Sequence, residues 1–314
     1  MVSSILPLWL LLAGVPSLLY ALTNHIDKHL LDEHFADDLG PFTLLIISAL
    51  VSAVALPFLW LLSPVSVLPE EWSHVFVFAL IGVLHVGLLW FYLKALQEED
   101  TVTIIIFYSV LPIMGLVSAN LFLDETLSSM QLVAMAVTIC GVLIVSVEWG
   151  EKGEYRLKLR AAFLMCMASL CWALGDVTFK FIAIEENIWS ALFWEHLILF
   201  VFGFVALAAA PRVRKRLAKT LTGNSTEIIG LNLTSETLYI LANVISAFPL
   251  LMVQVAAIHM VQAFQPVWVF LIALCLWRLG VSSERLSRVQ LLQKGTATVI
   301  AVFGMYLLTI YTPN

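Results

Sequence analysis

Charge is scarce in this chain. Of 314 residues only 12% are Asp, Glu, Lys or Arg, about half the share a soluble domain carries. A basic stripe is missing as well: 16 Lys and Arg face 22 Asp and Glu, for a net charge of -6, so nothing points to nucleic acid as a partner. Cysteine is limited to Cys140, Cys166, Cys171 and Cys275, each inside an apolar run. None has metal-ligand or disulfide spacing, and all four read as small core residues. No His-Glu-x-x-His, no Gly-x-Ser-x-Gly and no phosphate-cradling glycine-rich loop occurs, so a hydrolytic site, a resident metal or a built-in ATPase has no carrier. The opening Met1-Val2-Ser3-Ser4 has no Lys or Arg, which argues against a cleaved signal peptide.

What the chain has instead is apolar length. Hydrophobic residues make up 61% and mean hydropathy is +0.98, more than a water-soluble core can hide. A helix needs about 20 apolar residues to cross the hydrocarbon layer. Ten such runs can be drawn: Leu6–Leu22, Thr43–Leu62, Trp72–Leu96, Val102–Leu123, Gln131–Val147, Ala161–Ile184, Trp189–Ala210, Thr237–His259, Val261–Leu279 and Leu291–Tyr311. Everything at bilayer depth should be helical, because lipid offers no partner to free backbone groups. Pro16, Pro112, Pro249 and Pro266 are expected to kink their helices rather than end them. Trp9, Trp60, Trp72, Trp149, Trp189 and Trp277 lie near span ends, where Trp serves as an interfacial anchor.

Two stretches recur in both halves. Ser17-Leu18-Leu19-Tyr20-Ala21-Leu22-Thr23-Asn24, followed by Lys28, matches Ser169-Leu170-Cys171-Trp172-Ala173-Leu174-Gly175-Asp176, followed by Lys180. Glu125-Thr126-Leu127-Ser128-Ser129-Met130-Gln131-Leu132 matches Glu284-Arg285-Leu286-Ser287-Arg288-Val289-Gln290-Leu291. The expected organisation is therefore two five-helix units, over residues 1–149 and 150–314. Five is odd, so the second unit enters the membrane with reversed polarity, an arrangement that places solute paths between repeats. Asn24 should then superpose on Asp176, and Glu125 should fall near Glu284.

The five-plus-five pattern, Tyr92-Leu93-Lys94-Ala95-Leu96 closing the third span and Pro112 in the fourth carry a resemblance. So do the acidic turn Asp124-Glu125-Thr126-Leu127-Ser128 and a fifth span with Gly141. With these marks the chain resembles the drug/metabolite transporter superfamily, and within it the ten-helix EamA-like transporters. The resemblance implies an all-α polytopic membrane protein that acts as a secondary transporter, with no covalent chemistry and no cofactor. Its partners would be a small-molecule solute and the lipid bilayer, and a homodimer fits the same reading. A membrane-embedded sensory or interaction protein is the alternative; an enzyme finds no site here.

Lys and Arg near span ends stay cytoplasmic. Assigned to the loops above, all of the sixteen except Lys180 fall on one face. That count puts both termini outside, whereas the resembled family is expected to hold both inside. Arg212–Lys219 and Lys152–Arg160 would then face the cytoplasm, and the turns Glu70-Glu71 and Asp124-Glu125 would face outward. Two glycosylation sequons, at Asn224 and Asn232, would lie on the cytoplasmic side and stay unmodified.

Ionisable groups inside spans are costly and so are functional candidates. Asp176 and Lys180 are four apart and share a face, either as a self-neutralising pair or with Asp176 turned to a solute. Asn24 takes the corresponding place in the first span. Glu195 and His196 are a carboxylate and an imidazole side by side, candidates for proton coupling alongside Lys180. His85 stands in the middle of the third span. Tyr92 matches Gln254, and Tyr108 matches Gln262, when the third and fourth spans are aligned on the eighth and ninth. The candidate solute-binding set is Asn24, His85, Tyr92, Tyr108, Asp176, Gln254 and Gln262. Aromatic-rich, with hydrogen-bonding groups but few fixed charges, it suits an amphipathic or amino-acid-like metabolite.

Overall fold

The computed structural model describes residues 8–123, 128–149, 155–262, 264–280 and 288–310. Helix dominates them. The elements are α1 (Leu8–His34), α2 (Gly40–Leu62), α3 (Trp72–Glu98), α4 (Thr101–Phe122), α5 (Ser129–Ser146), α6 (Leu159–Glu185) and α7 (Ile188–Ala209). Then come α8 (Pro211–Leu250), α9 (Val255–Gln262), α10 (Gln265–Arg278) and α11 (Arg288–Ile310). One small antiparallel pair, Val147–Trp149 with Tyr155–Leu157, interrupts the expected all-helical pattern between α5 and α6.

Six of these helices are long and apolar enough to cross a membrane: α2, α3, α4, α6, α7 and the Thr226–Leu250 part of α8. Their apolar residues also cover the outside. Phe76 is 81% exposed and Leu61 78%, while Ser48, Thr103, Ser190 and His259 are buried. Such a surface is stable only against lipid, since the buried polar groups are the ones that need partners. The chain is a multi-pass membrane protein.

Three sequence expectations are corrected. The first span does not stop at Leu22: α1 runs on to His34, carrying Asn24, Asp27 and Lys28 within the helix. The eighth is not Thr237–His259, because α8 begins at Pro211 and ends at Leu250, and a break at 251–254 separates it from α9. The first turns of α8 carry exposed Arg212, Arg214, Lys215 and Lys219, and further along Asn232, Ser235 and Glu236 are buried, so an apolar-window reading places its start too late. Pro249 and Pro266 do not sit in continuous helices. Pro249 lies one residue from the end of α8 and Pro266 opens α10, where its missing N–H costs nothing. Pro112 follows a tightened turn at Tyr108–Val110. Asp124–Leu127, Lys152 and Glu284 lie outside the described residues, as does the Glu125/Glu284 correspondence. Asn232 is buried in α8 and donates to Ser48 Oγ at 3.1 Å, which removes it as a glycosylation site; Asn224 also falls within the helix.

The helices pack in matched sets. α3 lies along α6 and α1 along α8; α4 packs on α6, and α1 on α9 and α10; α3 meets α7, and α2 meets α8. α2 also packs on α7, and α5 on α11. The last is close: a Cβ on Gly141 would come within 2.8 Å of Ala301 N and 2.9 Å of Ala297 O, so only glycine lets these backbones meet.

Candidate functional site

Two cavities lie between the helices, of about 450 Å³ and about 430 Å³. His85 from α3, Asp176 from α6, Glu195 from α7 and Asn243 from α8 line the first. Asn24 and Asp27 from α1, Tyr92 from α3, Tyr108 from α4, Ser235 and Glu236 from α8, and Gln265 from α10 line the second. Tyr20, Leu88, Trp172 and Tyr239 border both. Tyr20 meets Trp172 edge-on at 5.3 Å between centroids and Tyr239 at 5.3 Å; Trp172 meets Tyr108 at 5.4 Å. An aromatic wall therefore separates the two spaces.

In the first cavity Glu195 is 5% exposed. Its Oε1 lies 2.6 Å from His85 Nδ1 and accepts from Asn243 Nδ2 at 3.1 Å, while Oε2 has no hydrogen-bond partner. With the carboxylate ionised, Nδ1 must carry the imidazole hydrogen. His85 Nε2 then accepts from the Tyr239 hydroxyl at 2.9 Å. Across the cavity, Asp176 Oδ2 lies 2.7 Å from His259 Nε2. The anticipated neighbour of Glu195, His196, instead bonds the Leu192 carbonyl through Nδ1 at 2.8 Å. The imidazole on the carboxylate comes from α3, 110 residues away.

In the second cavity the hydrogen bonds run in one direction. Gln265 Nε2 donates to Asn24 Oδ1 at 2.6 Å, Asn24 Nδ2 to the Tyr92 hydroxyl at 2.8 Å, and that hydroxyl to Asp27 Oδ2 at 3.3 Å. Ser235 Oγ donates to Asp27 Oδ1 at 2.7 Å. The chain ends on a carboxylate because only an acceptor can terminate it. Glu236 is buried beside the same space.

The other sequence candidates lie apart. Lys180 Nζ donates to the Val253 carbonyl at 2.9 Å and its counterpart Lys28 to the Leu96 carbonyl at 3.0 Å. Both thus cover a carbonyl where a helix ends or has just ended. Gln254 sits in the break after α8, and Gln262 is buried at the end of α9 with Oε1 unpartnered; neither borders the two cavities. Sequence reading missed Asp27, Ser235, Glu236, Tyr239, Asn243 and His259. The Tyr20/Trp172 match between halves was the one available signal for the wall.

Each end of the assembly is tied. Near the α6–α7 turn, Glu186 accepts from the amides of Glu70 (2.9 Å) and Glu71 (3.4 Å), with His74 Nδ1 at 2.6 Å. Burial raises the Glu186 pKa, but these donors outweigh it and leave the carboxyl below its ordinary value. Near the α3–α4 turn, Asp100 caps α4 through Thr103 N at 3.0 Å and meets Lys294 Nζ at 2.6 Å; Lys158 Nζ lies 2.8 Å from Glu99. Burial opposes ionisation of Asp100, but Lys294, Lys158 and the Thr103 amide prevail and bring its pKa down to about 2.

No curated protein matches the chain. Among solved structures, one titled only "Crystal structure of protein" superposes with a TM-score of 0.54 at 14% identity, over 95% of this chain and 99% of its own. That likeness concerns the fold alone. Residues 7–147 match the EamA-like transporter family, which suggests a membrane permease of the drug/metabolite type. The resemblance read from the sequence thus holds over this half of the chain: residues 7–147 carry the EamA-like fold of the drug/metabolite transporter superfamily.

Proposed function

We propose that this protein is a ten-span secondary permease of the cell membrane, moving a small organic metabolite by alternating access between its two cavities. The observation that carries the reading is the pair of cavities divided by one aromatic wall, each lined by helices from both halves of the chain. A solute reaching the wall from one side would need only a local rearrangement of Tyr20, Trp172 and Tyr239 to pass to the other.

The two halves are inverted five-helix repeats, 1–149 and 150–314. The matched packing sets support this: exchanging α1–α5 for α6, α7, α8, α9 with α10, and α11 turns each of the larger packed pairs into its counterpart or into itself. Tyr20 and Trp172, equivalent in the sequence repeat, touch each other, as equivalent residues beside a two-fold axis would. The basic residues favour both termini outside, with the first cavity then facing outward. A cytoplasm-dependent reporter fused after Asn314 is expected to be silent, and one inserted near Gly223 active; the reverse pattern would return the chain to the usual family orientation.

Transport is coupled to protons through Glu195. Its carboxylate faces His85 from α3, Asn243 and Tyr239 from α8, and Asp176 with His259 across the cavity, and His196 is its neighbour on α7. Protonation would let Glu195 donate to His85 and reverse the hydrogen bond to Tyr239, so the network has two arrangements. Uptake of a metabolite panel into liposomes, with and without a pH gradient, tests the reading. Glu195→Gln mimics the protonated acid and is expected to transport without pH dependence. A wild-type pH profile in that variant would reduce Glu195 to a packing residue.

A further inference from the structure

We infer that the solute is an organic cation, a protonated amine or quaternary ammonium on an apolar or aromatic body. This rests on the permease reading and narrows its solute. Four carboxylates border the two cavities, Asp27, Glu236, Asp176 and Glu195, and among the described residues no Lys or Arg borders either. Asp176 is matched by His259 and Glu195 by His85. Asp27 meets the hydroxyls of Ser235 and Tyr92, and Glu236 has Ser48 beside it. Among the described residues no Lys, Arg or His forms an ion pair with either carboxylate. Two carboxylates in one apolar space repel each other unless one takes up a proton or a cation joins them.

An independent observation points the same way. Glu195 Oε2 is buried and unpartnered, although both hydrogen bonds to that carboxylate could have been shared between its oxygens. An open acceptor inside a membrane protein is costly and calls for a donor. The rings supply the rest: Tyr92 stacks near Tyr108 at 6.3 Å, and the wall of Tyr20, Trp172 and Tyr239 adjoins both carboxylate groups. Their negative faces attract ammonium groups. An anionic solute would add like charge to desolvated carboxylates. A zwitterion would have to find donors for its own carboxylate beside these acidic groups, where Gln265 Nε2 already donates to Asn24 Oδ1 and Asn24 Nδ2 to the Tyr92 hydroxyl.

Tryptamine, tryptophan and indole-3-acetate share one ring system and carry a positive, a balanced and a negative charge at neutral pH. Their binding to the full-length protein in detergent, measured by equilibrium dialysis, tests the inference. Tryptamine is expected to bind roughly tenfold or more tighter than the other two. The double variant Asp27→Asn/Glu236→Gln, eluting as a single species, should lose at least that factor. Equal or tighter binding of tryptophan or indole-3-acetate, no tryptamine binding, or unchanged binding by the folded variant would overturn the proposal. Should the variant fail to fold, the ranking on the unaltered protein decides alone. Uptake of the same three compounds into liposomes separates the two readings. Tryptamine that binds but is never transported defeats the permease and leaves the cation site standing, whereas uptake of tryptophan without tryptamine does the opposite.

Discussion

Substituting Gly115 by Ala places a methyl where α4 and α9 leave no room for one. The added Cβ would lie 2.1 Å from His259 Nδ1 and 2.8 Å from its Cε1. The imidazole cannot yield cheaply, because His259 is fully buried and its Nε2 is engaged by Asp176 at 2.7 Å. Relief of the clash must either break that charge-assisted bond, worth about 1.5–3 kcal/mol, or shift two packed helices, at about 1–3 kcal/mol. The cheaper route sets the cost, roughly 1–3 kcal/mol, a fall in melting temperature of about 2–8 °C. Thermal unfolding of the detergent-solubilised protein reads it. His259→Ala removes the obstructing ring and strands Asp176, so it carries its own cost. In Gly115→Ala/His259→Ala the methyl enters vacated space, and the double variant should be no less stable than His259→Ala alone. Costs that add to within about 0.5 kcal/mol would refute the close approach, as would a Gly115→Ala variant that melts like the unaltered protein.

Two further outcomes concern the tied ends. The Asp100 pKa is lowered from 3.8 to about 2, so its ionised form stabilises the fold above pH ~4 and that contribution, about 2 kcal/mol, is lost as pH falls toward ~2. The melting-temperature gap between the unaltered protein and Asp100→Asn should therefore close over that interval; a constant gap would deny the ion pair its role. Replacing Glu186 by Ala frees the amides of Glu70 and Glu71, and their hydrogen exchange should quicken roughly tenfold or more. Unchanged exchange there would mean the loop is held by other contacts.

Much of the scaffold was legible because lipid imposes a length of about 20 apolar residues. Seven of the ten drawn spans (Thr43–Leu62, Trp72–Leu96, Val102–Leu123, Gln131–Val147, Ala161–Ile184, Trp189–Ala210 and Leu291–Tyr311) fall within three residues of observed helices. The failures at the first and eighth spans share a cause. In α1 and α8 the polar residues Asn24, Asp27, Asn232, Ser235, Glu236 and Asn243 turn toward partners inside the protein. An apolar window cannot tell an inward polar face from a loop, so the first span was cut short and the eighth displaced. Asp27 and Glu236 were lost with them. His85 and Glu195 stood out singly as ionisable groups within spans, but their contact joins residues 110 apart, and no local pattern encodes it. The repeat at an offset of 152 did align Tyr20 with Trp172, though not the fact that the two rings touch.

The central claim is a path through the two cavities that opens to opposite sides of the membrane. Single cysteines at Ala247, bordering the first cavity, and Ser235, bordering the second, can be read with a membrane-impermeant thiol reagent. The background is a variant whose four native cysteines are replaced by alanine, in vesicles of known orientation. The account predicts that Ala247→Cys reacts from the outer side, that Ser235→Cys reacts from the cytoplasmic side, and that solute slows both. Reaction of both positions from the same side, or of neither from any side, would contradict it.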